Sequence, residues 1–156
     1  MRLRLRLISL CLALVISCRC GVAEATLGEP AETIARDTKS FAGVLQKSAT
    51  RGKYRVQSIA SGTTATTVRE YVAPSGVVFA VAWNGLVHPD LKVLLGNYHS
   101  DYRKGLSHAA RQPGRRGAKV ATERLVVETW GHMRNLQGRA YLPELLPEGV
   151  SVDEIR

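Results

Sequence analysis

Cysteine is scarce and confined. Its three copies, Cys11, Cys18 and Cys20, all fall within the first twenty residues. From there on the chain has no disulfide framework, no thiol nucleophile and no cysteine-based metal site. Aromatic residues make up only 6 % and none precedes Phe41, so the aromatic part of any core belongs to the later segment. Acidic residues are outnumbered 13 to 22 by lysine and arginine. Long hydrophobic runs are missing too: the best one, Leu7 to Ser17, sits between Arg6 and Arg19. As a helix that interval rises about 18 Å, against a hydrocarbon core of roughly 30 Å, so it is too short to span. HExxH, CxxC, heptads and internal repeats are all lacking, which removes the common zinc-enzyme and coiled-coil readings.

The opening residues carry an address. Arg2, Arg4 and Arg6 form a basic start, Leu7–Ser17 an apolar centre, and Ala23-Glu24-Ala25 a small-x-small cleavage site. This is the pattern of an export signal, residues 1–25, removed after Ala25. A second reading stays open: Val15-Ile16-Ser17-Cys18 fits a loose lipobox, in which Cys18 carries lipid and anchors the protein to a membrane. The chain from Thr26 is then free of cysteine, and its fold rests on its core although its destination is oxidising. Its 131 residues suffice for one domain, 26–156.

Four arginines and one glutamate leave with the leader, which reduces the net charge from +9 to +6. Much of the remainder lies in 103–119, where Arg103, Lys104, Arg111, Arg115, Arg116 and Lys119 meet no acidic residue. That segment, rich in Gly and Pro, reads as a flexible basic loop. The plain reading is a solvated loop; if it has a partner, export argues against nucleic acid and for an anionic envelope component or a periplasmic protein. Membrane contact is expected only through a lipidated Cys18.

Periodicity supplies the elements. Pro30 to about Gln46 reads as an N-terminal helix, with Ile34, Thr38, Phe41 and Leu45 as its stripe. From Lys53 the period changes to two: a strand around Tyr54–Gln57, a second over Thr63–Ala73, a turn at Pro74-Ser75-Gly76, and an apolar strand over Val77–Trp83. Pro89-Asp90 opens a second, short helix that buries Leu91, Leu94 and Leu95 and continues toward Tyr98 and Tyr102. Two more strands follow, Thr122–Trp130 and Met133–Tyr141, hinged at Gly131-His132. The expected fold is a single α+β domain, an antiparallel sheet of about five strands with both helices packed on it.

Three blocks of this chain, REYVAPSGVVFAVAW (Arg69–Trp83), PDLKVLLGNY (Pro89–Tyr98) and GHMRNLQGRAYLPELLPEGVSVDEIR (Gly131–Arg156), carry a resemblance. Together with Leu27-Gly28, they resemble the exported bacterial proteins grouped as the domain-of-unknown-function family catalogued as 2844. The resemblance covers the chain beyond the leader. It implies a small exported Gram-negative protein and supplies no activity, cofactor or catalytic residue. The basic segment and Cys18 lie outside the matching blocks.

No catalytic set assembles from the residues themselves. His88, His99, His108 and His132 lack metal-ligand spacing, and no metal or cofactor is expected. Ser75 sits on a turn between strands, not on a nucleophile elbow. Glu70, a candidate carboxylate with Glu123 or Glu128, reads as an outward-facing strand residue. Trp83, Tyr98, Trp130 and Tyr141 would make a glycan platform if they shared an open face, and core if they did not. Gly131-His132-Met133-Arg134 is the most distinctive polar cluster, so His132 and Arg134 are the candidate ligand contacts, with a plain hairpin turn as the alternative. The function expected is a non-enzymatic periplasmic or envelope binding domain. The alternatives are an envelope hydrolase using His132 with a carboxylate such as Glu128, and a lipoprotein anchored through Cys18.

Overall fold

A computed structural model describes residues 27–31, 43–109 and 117–156. The leader with Cys18, Ala23 and Ala25, the middle of the expected N-terminal helix, and the centre of the basic segment (110–116) lie outside the described residues.

One antiparallel sheet of seven strands dominates. In chain order these are β1 (Gly43–Arg51), β2 (Tyr54–Ser61), β3 (Thr66–Val72), β4 (Val78–Gly85), β5 (Ala118–Ala121), β6 (Val126–His132) and β7 (Asn135–Tyr141). In space the order is β1-β2-β3-β4-β7-β6-β5. The first four strands meander from one edge to the centre. A helical stretch then crosses to the far edge: α1 (Leu91–Leu95), a 3₁₀ turn (Gly96–Tyr98) and α2 (His99–His108). The last three strands return, so that β7 closes on β4. Among the described residues no helix is long and apolar enough to cross a membrane.

The expected α+β class is corrected: among the described residues this is a sheet-dominated fold whose α-helix is confined to one stretch between β4 and β5. The five strands foreseen are present, but β1 and β5 were not foreseen. Gly43–Gln46, expected as helix, begins β1. The helical stripe there was sparse and its Leu45 is half exposed, so little burial favoured a helix. A hairpin turning at Gly52 (φ 53°) instead pairs Gly43–Arg51 with β2, with a bulge at Gln46. Pro30, expected in a first helical turn, forms a bridge with Val77. The basic segment is also narrower than read. Arg103 to His108 continue α2, while Ala118 and Lys119 belong to β5.

The second helix starts where expected. Asp90 caps it, its side chain accepting from the Lys92 amide at 2.8 Å, which satisfies one of the free amides at a helix start. Leu94 and Leu95 are fully buried against one face of the sheet, with Leu27, Ile59, Val68, Val81, Trp83 and Val127. Gly105 lets α2 approach β5 closely, since a Cβ there would collide with the Val120 side chain. Among the described residues, the opposite face is covered only in part, by the C-terminal segment through Leu146, Val150, Val152 and Ile155.

Candidate functional site

The partly covered face divides into rows that run across the strands, because facing residues in an antiparallel ladder share a side. One row is Ala49, Val56, Tyr71, Ala80, Tyr141 and Val126. It is apolar, and the C-terminal segment seals much of it. Tyr71 Oη holds both the carbonyl (2.8 Å) and the amide (3.0 Å) of Arg156. Tyr54 Oη donates to Glu154 at 2.9 Å, and Arg139 Nη1 to the Val152 carbonyl at 2.7 Å.

Two residues along, the next row crosses all seven strands: Lys47, Ser58, Arg69, Ala82, Arg139, Glu128 and Lys119. Its far half is self-neutralising. Glu128 accepts from Arg139 Nε at 2.6 Å and pairs with Lys119 Nζ at 2.7 Å. The Lys119 bond, with Arg139 in support, holds the Glu128 carboxyl below its usual range, and Glu128 in turn raises Lys119. The near half has no such balance: Lys47 and Arg69 meet no carboxylate among the described residues. A third row, Ala60, Thr67, Asn84, Gln137 and Trp130, is polar. There Trp130 Nε1 donates to Gln137 Oε1 at 3.2 Å, and the Arg139 guanidinium lies 5.7 Å from the indole centre.

Beside the segment that carries Glu154 and Arg156, these rows form an open trough of about 590 Å³ among the described residues. Lys47, Arg51, Arg69 and Arg156 line it, with Glu154 as the only acid among the lining residues. That carboxylate is already engaged by the Ser151 amide (3.0 Å) and Tyr54, the two bonds that hold its pKa below the usual value. The trough therefore presents uncompensated positive charge beside hydroxyl and amide groups and one half-buried indole.

The residues singled out from sequence are dispersed. His132 and Arg134 lie exposed at the β6–β7 hairpin. His132 falls on the trough's face one step past Trp130, outside its lining, and Arg134 occupies the turn itself at φ 69°. Glu128 and His132 are four residues apart on one strand, about 13 Å, and Glu128 is committed to two cations, so they form no proton-transfer pair. Glu70 is not outward-facing: it is completely buried on the helix side, opposite to Glu128. Of the four aromatics, Trp83 is 1 % exposed and Tyr141 is buried, while Tyr98 packs on the helix side under Arg124. Only Trp130 combines partial exposure with a place in the trough. His88 is not merely a solvated residue at the helix entry, since its Nδ1 accepts from Trp83 Nε1 at 2.9 Å. Burial lowers its pKa, which suits that acceptor role. Ser75 stays on its turn. His99 leans on Tyr102, and His108 Nδ1 contacts the Lys104 carbonyl at 2.7 Å. Among the described residues no three His, Cys, Asp or Glu side chains gather as a metal site.

Lys47, Ser58, Arg69, Asn84 and Gln137 were missed. The usable signal was alternation within TTVREYV: reading Val68 inward forces Glu70 inward and Arg69 to the other face. Lys47 follows directly on the expected helix, Pro30 to about Gln46, and carries no signal of its own.

Residues 23–155 match a family model described as "Protein of unknown function (DUF2844)". The chain belongs to that family. No curated protein and no solved structure matches it.

Proposed function

We propose that this DUF2844 member is an exported, non-enzymatic binding domain of the cell envelope that captures an anionic ligand on the uncovered sheet face. The observation that carries the ligand class is the Lys47–Ser58–Arg69 row. It holds two cations roughly 10 Å apart on β1 and β3, either side of β2, neither of them paired with a carboxylate among the described residues, and with Arg51 and Arg156 beside them. Unpaired cations of this kind, Lys47 exposed and Arg69 half-buried, attract anions over a screening length of about 8–10 Å. The leader pattern supports export: basic start, eleven-residue apolar centre, and Ala23-x-Ala25.

Retention on immobilised dextran sulfate tests the ligand class. Lys47→Glu/Arg69→Glu should elute at clearly lower salt than wild type. Arg103→Glu/Lys104→Glu, equal in charge but on the helix, should elute less altered. Equal losses in both would reduce the effect to net charge and remove the site. For the address, mass spectrometry of the protein from its native cell should find Thr26 at the N-terminus. An acylated Cys18 would replace free export with anchoring, and an intact leader in the cytosol would overturn export.

A further inference from the structure

Resting on the anion-binding reading, we infer that the ligand is an acidic polysaccharide, laid across the strands so that its sugar units step along the sheet. Three features separate it from a simple polyanion. The first is the mixture of groups. Between and beside the cations stand Ser58, Asn84 and Gln137, which both donate and accept, so a hydroxyl-bearing ligand uses both capacities whereas an ionised phosphate chain uses only their donors.

The second feature is Asn84. Its Oδ1 is enclosed and has no hydrogen-bond donor among the described residues. An enclosed acceptor left unmade is costly, and once swung into the trough it takes a donor from the ligand. Hydroxyl groups supply such donors; carboxylates, sulfates and phosphates in their ionised forms do not. A ligand satisfying both Asn84 and Arg69 carries hydroxyls and negative charge together.

The third feature is Trp130 with its spacing from the cations. Its indole is held by Gln137 and by Arg139, so it is a fixed apolar surface, as sugar rings require for stacking. From Lys47 on β1 to Trp130 on β6 there are five strand steps, about 24 Å at the usual strand separation. A pyranose unit advances a chain by about the same ~4.8 Å that separates neighbouring strands. About five or six units thus bridge the cationic end and the indole, with alternate acidic groups facing Lys47 and Arg69.

Oligogalacturonides of two to eight units are the probe, followed by calorimetry and by tryptophan emission. Trp83 is only 1 % exposed, and the Trp130→Ala variant identifies the part of the spectral change that comes from Trp130. Affinity should rise with length up to about six units and then level, and the neutral methyl-esterified hexamer should bind far more weakly. Lys47→Gln/Arg69→Gln should weaken the acidic hexamer about tenfold, the size expected for the loss of one exposed and one half-buried charge contact. Trp130→Ala should weaken it and abolish the emission change, with circular dichroism confirming that each variant is folded. Suppose instead that polyphosphate of matched charge, or vesicles of anionic lipid, bind as tightly as the hexamer and ignore Trp130→Ala. The polysaccharide inference then fails while anion binding stands. If no polyanion binds at all, both fail.

Discussion

Glu128→Gln separates what stabilises the sheet face from what binds on it. In the native protein Glu128 and Arg139 are each about one-sixth exposed, at 16 % and 17 %, and lie 2.6 Å apart, while the Lys119 arm is 57 % exposed. Exposed ion pairs contribute about 0–1 kcal/mol. Breaking a fully buried pair costs about 3–5 kcal/mol. The Arg139 arm lies between these limits and the Lys119 arm near the lower one, so the substitution should cost about 2 kcal/mol in all. For a domain of this size that is about 8 °C in melting temperature. Its effect on the trough should be negligible. Glu128 is three strands from Arg69, about 14 Å. At that distance a unit charge contributes only about 0.3 kcal/mol in water before salt screening removes most of it. Urea denaturation and hexamer binding on the same preparations provide the two readouts. The pH dependence adds a third. Because the folded pKa of Glu128 is depressed, its contribution is complete above the unfolded value of about 4.3. It is lost as pH falls through the folded one, and the Glu128→Gln variant should lack that part of the acid limb. An unchanged melting temperature, or a loss of hexamer affinity larger than twofold, would refute this division.

Further outcomes follow from single contacts. His88→Ala strands the Trp83 indole N–H and should cost about 1–3 kcal/mol, most of it restored by His88→Gln if the amide oxygen reaches the same donor. Since burial depresses the His88 pKa, its contribution is complete above about 6.5 and declines as pH falls, a slope that His88→Gln should not show in equilibrium unfolding. Gly138→Ala places a Cβ against the Trp83 ring and should destabilise by about 1–3 kcal/mol through overpacking, measured by thermal melting. Arg134→Gly relieves a left-handed backbone at φ 69° and should stabilise by about 0.5 kcal/mol. The same variant should leave hexamer binding unchanged, because the hairpin lies outside the trough. Tyr71→Phe removes both bonds to Arg156 and should cost about 1 kcal/mol, with faster hydrogen exchange confined to the C-terminal segment.

Much of the architecture was legible where local chemistry and tertiary demand agree. Pro74-Ser75-Gly76 between β-rich runs specifies the β3–β4 hairpin, and Asp90 before Leu91, Leu94 and Leu95 specifies the helix start. Legibility failed where pairing partners decide. The alanines and Leu45 around β1 satisfy a helix pattern as well as an edge strand, and only the β2 partner settles it. β5 is four residues long with one buried side chain, Val120, too little for any periodicity. The site was harder still, for its groups come from six strands and become neighbours through register alone. Distinctive short motifs drew attention to His132 and Arg134, whereas the trough is made of ordinary lysine, arginine, serine and amide residues, each of which looks like solvated surface in its own strand.

The most direct measurement is a chemical-shift map of isotope-labelled protein titrated with the acidic hexamer. Resonances of Lys47, Ser58, Arg69, Asn84, Gln137 and the Trp130 indole should move together along one binding curve. The helix, the Met133–Arg134 turn and the Trp83 indole should stay in place. Shifts concentrated at Lys104, His108 and Arg124, with the cross-strand row silent, would contradict the account.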